Sequence, residues 1–258
     1  MAGKRGERLS LEPVDEIGEV RDGDDLAALL CDHLAAHDLK AFDILCIAQK
    51  VVSKAEGRLR SLSDIRPGSK ALALAERAQK DPRLVELILS ESIGVIRVKP
   101  GVIIVEHRLG HILANAGIDR SNLEAGSEDM ALLLPLDPDG TAENLRGALE
   151  ARFGIGPLGI IITDSVGRAW RKGTTGQALG VAGLPALLDR RGELDRAGQP
   201  LQTTEVCLAD QVASAAQLLM GEGAEGRPVV LVSGLDWRQG TENPAKAINR
   251  PSKEDLFR

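Results

Sequence analysis

Residues 158–176 read LGIIITDSVGRAWRKGTTG. Leu158 to Thr163 is an unbroken apolar run of strand length and the clearest buried strand in the chain. It ends on Asp164 and Ser165, followed by the cations Arg168, Arg171 and Lys172 and the stretch Gly173–Gly176. A carboxylate after an apolar strand is a familiar way to hold Mg²⁺ or Mn²⁺, which prefer carboxylate and hydroxyl oxygens. Ser165 adds a hydroxyl. Carboxylate, cations and a flexible Gly/Thr stretch together suit a metal–phosphate site. The plainer alternative is a helix N-cap with a solvated basic face.

On the C-terminal side, Asp189–Gln202 reads as a charged loop. Thr203–Met220 reads as a long helix with Val206, Ala209, Val212, Ala213, Ala216 and Leu219 on one side, stopped at Gly221-Glu222-Gly223. Pro228–Val232 is a further strand, and the chain from Arg238 is a polar tail. On the N-terminal side, Thr141 is placed to cap a helix running to Phe153. Leu132–Leu134 reads as a short strand and Asn115–Ser127 as a polar loop. Further back come β-rich pieces at Gly94–Val98, Val102–Glu106 and His111–Ala114, and helices at Ser69–Ala78 and Pro82–Ser90. Lys50–Arg58 reads as a basic turn, Asp43–Ala48 as a strand, Asp24–His37 as a helix, and residues 1–12 as loose.

Helices and strands mix without regular βαβ alternation. The expected class is therefore α+β, with mixed sheets and packed helices in a single domain over 1–258. No GxxxxGK[ST] and no GxGxxG before a helix occurs, so neither a P-loop nor a Rossmann fold is expected.

A net charge of −6 argues against nonspecific nucleic-acid binding, and two Trp, three Phe and no Tyr leave little for base stacking. No stretch reaches the length of a membrane span and no signal peptide is evident, so a cytoplasmic protein is expected. Cys31, Cys46 and Cys207 lie far apart without a CxxC pair and read as reduced thiols, with Cys46 and Cys207 serving as inert packing.

Three further clusters could carry chemistry. In Asn115–Asn122, Asp119 offers a hard oxygen and Asn122 a hydrogen-bonding amide, against the alternative of an Asx-capped turn. In Met220–Gly226 the glycines let the backbone approach a ligand and Glu222 adds a carboxylate, where a plain C-cap needs fewer glycines. In Lys50–Arg58, Lys54 and Arg58 stand four apart, and Lys54 can meet a phosphate as a mobile charge; a solvated basic turn is equally compatible. The pairs His33/His37 and His107/His111 have no convincing third ligand.

These clusters together resemble the coenzyme F420-0 γ-glutamyl ligase family. The matching pieces are VVSKAEGR (51–58), NAGIDRSN (115–122), LLLPLDPDG (132–140), GIIITDSVGRAWRKGTTGQALG (159–180), TTEVCLADQVASAAQLLMGEG (203–223) and PVVLVSGL (228–235), in the family's order. The resemblance implies a GTP-dependent ligase that joins L-glutamate to coenzyme F420-0 through an acyl-phosphate, releasing GDP and phosphate, and that adds one glutamate or more. It implies two divalent ions, Mg²⁺ or Mn²⁺: one on Asp119 and Asp164, the catalytic pair, and one on Ser165 and Glu222. Potassium is a further ion it allows. It places nucleotide contacts at Ile17, Gly18, Glu19, Val20, Gln49, Lys54 and Asn122 and in the loop Met220, Gly221, Glu222, Gly223, Ala224, Glu225. It also implies a homodimer of the stand-alone ligase type. Three rivals remain: another nucleotide-dependent carboxylate–amine ligase; a nucleotide-binding regulatory protein without turnover, which would not need Ser165 and Glu222 as a second metal pair; and, more weakly, a metal-dependent phosphohydrolase.

Overall fold

The computed structural model describes residues 8–120, 129–238 and 240–256. It contains β1 (Ser10–Val14), α1 (Leu26–Leu34), β2 (Ile44–Ala48), α2 (Gln49–Ala55), β3 (Leu59–Ser61), α3 (Ser69–Ala78), α4 (Pro82–Ser90), β4 (Ser92–Lys99), β5 (Val102–His107), β6 (Ile112–Ala114), β7 (Met130–Leu132), α5 (Pro138–Phe153), β8 (Gly159–Gly167), β9 (Thr174–Ala182), β10 (Leu187–Asp189), β11 (Glu205–Cys207), α6 (Leu208–Met220) and β12 (Val229–Ser233). The class is α+β, as expected. The described residues pack as two compact units. Unit 1 draws on Met1–Val20, Asp24–Val52 and Asp137–Ile248; unit 2 draws on Arg21–Gly23, Ser53–Leu136 and Asn249–Arg258.

Unit 1 is built on a five-stranded sheet of order β1-β12-β2-β8-β9, in which only β2 and β8 are parallel. Its central strands are continuous apolar runs because both faces are covered. Ile44, Cys46, Ile161, Val230 and Val232 pack with Ala209, Val212, Ala213 and Ala216 of α6. The alternate residues Leu45, Ile47, Ile160, Ile162 and Leu231 are equally buried and face the other layer, where α5 lies on β8 and β9 with α1 beside it. Burial pushes the Cys46 thiol up to about 12. Burial, with the Asp210 carboxylate adding, does the same for Cys207. Both thiols stay protonated near neutral pH, in keeping with inert packing.

Unit 2 packs α3 and α4 with the antiparallel sheet β4-β5-β6, and β3 pairs with β7. The bounds of α3 and α4 match the sequence reading because their signals are local. Gln79 takes a left-handed φ of 51° and closes α3; Asp81 caps α4, accepting from the Arg83 amide at 2.8 Å, with Pro82 in the first turn. Leu62, Leu74, Leu84, Ile88, Ile103 and Leu133 fill the core.

Several expectations change. Residues 1–12 were expected to be loose, yet Ser10–Val14 is a strand whose backbone pairs with β12. The basic turn at Lys50–Arg58 is a helix through Ala55, begun directly from the end of β2. The helix expected from Thr203 starts at Leu208, because Glu205–Cys207 pairs with β10. Asp137, not Thr141, caps α5, its carboxylate accepting from the Gly140 amide at 3.1 Å. The polar tail is packed through Ile248: Ala245 is fully buried and its amide donates to Asp139 at 2.9 Å. The Gly/Thr stretch is the start of β9. Its glycines mask the strand signal but are required by close packing: a Cβ on Gly176 would strike the Ala213 carbonyl of α6, and one on Gly180 the Pro138 carbonyl of α5.

Candidate functional site

The register of the sheet decides which sequence clusters meet. β2 and β8 run parallel with Ala48 opposite Thr163, so Gln49 and Asp164 emerge side by side at their C-terminal ends. β12 lies between β1 and β2, antiparallel to both, with Val229 opposite both Val14 and Ile47. The segment after β1 and the loop before β12 therefore open at the same end of the sheet. Arg227 confirms this by reaching Asp15 at 3.1 Å. Four pieces expected to form one site, Ile17–Val20, Gln49, Asp164-Ser165 and Met220–Glu225, thus leave one sheet edge. The ends of parallel strands are where open sheets commonly build sites, since rigid strands fix the backbone and loops present the groups.

β8 and β9 continue past this edge as a two-stranded ribbon. Asp164 pairs with Gln177, Ser165 with Gly176 and Gly167 with Thr174. A register shift between Ile162 and Thr163 precedes it, and the displaced Ala178 amide is satisfied by Asp210 of α6 at 2.8 Å. Side chains alternate along the ribbon, so Ser165 and Asp164 point to opposite faces. That geometry suits separate roles for the two residues.

Glu222 follows the Gly221 cap of α6, where φ is 73°. Its carboxylate gathers hydroxyls from both strands of the ribbon. Ser165 Oγ donates to one oxygen at 2.9 Å and Thr174 Oγ1 to the other at 2.9 Å, while Gln217 Nε2 lies at 3.3 Å. Ser165 and Glu222, far apart in sequence, are thereby in direct contact. Thr174 was not singled out as a site residue; only its register opposite Gly167 reveals it. Glu225 folds back to accept from the Gly223 amide at 2.8 Å. Ile17 and Val20 are buried and Gly18 takes a φ of 72°, so this segment exposes mainly backbone and Glu19. Gln49 is buried at the start of α2.

Asp119 and Lys54 belong to unit 2. Asp119 is held by its backbone, exchanging hydrogen bonds with Leu132 at 3.0 and 2.8 Å. It follows three successive left-handed residues, Asn115, Ala116 and Gly117, with φ of 51°, 57° and 65°. A run of that kind is costly for non-glycine residues and persists only where the surroundings impose it. Here the Asn115 side chain accepts from the Ile103 amide at 3.1 Å, Ala116 is fully buried, and a Cβ on Gly117 would strike Leu134. Lys54 lies in the last turn of α2. Asn122 lies outside the described residues. Arg58, considered as a phosphate cation with Lys54, is buried instead: it donates to Glu91 at 2.8 Å and to the Leu134 carbonyl at 2.9 Å, a structural ion pair.

The donors around Glu222 are a carboxylate and two hydroxyls, all hard oxygens, which fits Mg²⁺ or Mn²⁺. Among the described residues no group of three His, Cys, Asp or Glu converges. This set suits an ion that completes its shell with water and substrate phosphates, as Mg²⁺ commonly does.

The model of the family described as F420-0:Gamma-glutamyl ligase matches residues 15–234. The chain is 46% identical over 253 residues to the coenzyme F420:L-glutamate ligase of Methanopyrus kandleri, covering 97% of this chain and 98% of that protein. It is 45% identical to the enzyme of the same name from Methanothermobacter thermautotrophicus, over 97% and 99% of the two chains. The enzyme of that name from Archaeoglobus fulgidus is 40% identical over 97% of each. The whole set of sequence clusters, four of them gathered at one sheet edge, thus coincides with a match along nearly the full chain, and the protein belongs to the F420-0:gamma-glutamyl ligase family.

Proposed function

We propose that this protein joins L-glutamate to coenzyme F420-0 through a γ-glutamyl amide, using GTP to activate a carboxylate as an acyl-phosphate, with GDP and phosphate as by-products. The observation that carries this reading is the contact of Ser165 and Thr174 with Glu222 beside Gln49 and Asp164, in a chain of this family.

A carboxylate resists attack by an amine because its charge repels nucleophiles. Phosphorylation removes that charge and supplies a leaving group, so the chain must hold a nucleotide, the acceptor carboxylate and the glutamate amine in line. Bound divalent ions would neutralise phosphate charge in both steps. Asp119, Asp164, Ser165 and Glu222 are the proposed ligands. The Ser165 and Thr174 hydroxyls hold the Glu222 carboxylate in place, and its oxygens would be the ones offered to a bound ion. The Met220–Glu225 loop, the Ile17–Val20 segment, Gln49, Lys54 and Asn122 are the proposed nucleotide contacts. A homodimer, a potassium ion and the addition of more than one glutamate are parts of the same reading.

The test is a mass-spectrometric assay of purified protein with F420-0, L-glutamate, GTP and Mn²⁺. The expected product is heavier by one or more glutamyl units, with GDP released in step. GTP retained and no mass added would reject the proposal and point to a different acceptor or a regulatory role.

A further inference from the structure

The tip of the β8–β9 ribbon is unlike the rest of the surface of unit 1. Between Gly167 and Thr174 runs Arg-Ala-Trp-Arg-Lys-Gly, and from Ser165 to Leu188 there is no Asp or Glu, in a chain of net charge −6. Five other arginines of the unit are neutralised by a nearby acid, Arg146 by Glu143, Arg190 by Glu193, Arg191 by Asp189, Arg227 by Asp15 and Arg238 by Asp236, while Arg152 lies over the Phe153 ring; what sets the tip apart is three cations within five residues with no acid beside them in sequence. Arg168, Arg171 and Lys172 make no ion pair or hydrogen bond among the described residues. Trp170 stands among them 84% exposed, with a left-handed φ of 66°. A bulky residue in that backbone region is unusual, and it presents an indole face to solvent between cations.

The two feet of this loop are the residues that hold Glu222. Ser165 lies just below Gly167 on one strand and Thr174 opens the other, and both donate to that carboxylate. At about 3.3 Å per residue, the loop begins roughly 10 Å beyond Asp164. A molecule lying along the ribbon would meet the indole and the cations at the tip while its far end reached the sheet edge.

We propose that the Arg168–Gly173 loop binds the acceptor, with Trp170 stacking on its planar deazaflavin ring and Arg168, Arg171 and Lys172 holding its anionic groups. This rests on the ligase reading above and deepens it by assigning the acceptor's seat. An aromatic side chain flanked by cations is the surface that recognises a planar anion. The acceptor fits that description: its ring is flat and the chain next to it carries a phosphodiester for the cations, while the carboxylate to be activated lies at its far end, toward the sheet edge. The nucleotide is also a planar anion, but its proposed contacts lie in the loops at the sheet edge.

The test is steady-state kinetics of wild type, Trp170→Ala and Trp170→Phe with F420-0, GTP and L-glutamate varied separately. Because Trp170 is exposed, both variants should fold as wild type does. Trp170→Ala should raise the KM for F420-0 roughly tenfold, the loss expected on removing one stacking partner. The KM values for GTP and glutamate should stay unchanged, and Trp170→Phe should restore most of the loss. An unchanged F420-0 KM in Trp170→Ala, or a rise in the GTP KM instead, would overturn the assignment while leaving the ligase reading intact. A wild type that never adds glutamate to F420-0 would remove both.

A second readout is binding without turnover. Trp237 is the other Trp of the chain, and there is no Tyr. In Trp237→Phe, Trp170 becomes the single indole reporter. Its emission should be quenched saturably by F420-0, with GDP and Mg²⁺ present or absent; no quenching in either condition would count against stacking.

Discussion

Glu222 illustrates how one side chain organises the candidate site. It sits on a glycine-flanked turn and draws a hydroxyl from each strand of the β8–β9 ribbon. Asp164 is one residue from Ser165 but on the other ribbon face, so the two are not interchangeable. Asp164→Asn keeps size and shape and removes only the charge. It should abolish glutamyl transfer while circular dichroism and melting stay as in wild type; wild-type turnover would remove Asp164 from the proposed metal ligands. Lys54→Ala should weaken GTP binding about tenfold or more, read by isothermal calorimetry, and an unchanged affinity would exclude it from the nucleotide contacts. Arg58, four residues on, is predicted to behave differently. Its loss would leave the buried Glu91 to Arg108 alone among the arginines and the Leu134 carbonyl without its donor, at a cost of about 1–3 kcal/mol of stability, seen in denaturant melts rather than in GTP affinity.

β9 is the element on which the site's precision depends. It lies at the edge of the sheet, is reached from both faces by helices, and is fastened by Asp210 to the Ala178 amide at 2.8 Å and by Asp139 to the Val181 amide at 2.8 Å. Gly176 and Gly180 let α6 and α5 approach its backbone closely. Gly180→Ala would push a methyl into the Pro138 carbonyl at the first turn of α5. Backbone cannot swing aside as a side chain can, so a destabilisation of about 1–3 kcal/mol or more is expected in chemical denaturation. A variant as stable as wild type would show that α5 shifts freely. The same close packing explains why β9 escapes pattern reading: small residues chosen for contact carry neither alternation nor β-branched bulk.

Unit 2 buries an ionisable cluster. Burial raises the Glu91 carboxyl, but the His107 ring and the Arg58 and Arg108 guanidinium groups outweigh it and leave it at about 2. His111 is 4% exposed, and burial, with repulsion from His107 adding, pushes it down to about 4. The unfolded chain takes up the His111 proton near its ordinary 6.5, whereas the folded chain does so only near 4. Stability held above pH 6.5 is therefore lost as pH falls through that window. The Glu91 contribution is present above about 4.5 and is lost between there and about 2. Chemical denaturation from pH 7 to 4 should show stability declining with acid. His111→Leu should flatten that decline while leaving the loss at lower pH; an equally steep decline in the variant would refute the assignment.

Much of this protein was legible as sequence where the governing physics is local. The bounds of α3 and α4, the buried strands β2, β8 and β12 and the α+β class follow from period, caps and turn residues, which act within a few positions. The candidate clusters could be named from sequence because carboxylates, hydroxyls and glycines follow apolar runs there, but caps and turns use the same residues. What the sequence did not determine is how distant pieces meet. Whether Lys54 and Arg58 are alike depends on Glu91, thirty-three residues from Arg58. Whether Thr174 belongs with Ser165 and Glu222 depends on the β8–β9 register and on where α6 ends. Strand β1 and the pairing of Glu205–Cys207 likewise exist because a partner elsewhere in the chain satisfies their backbone. Only the tertiary structure decided these points, since hydrogen bonding and burial between remote segments outweigh weak local preference.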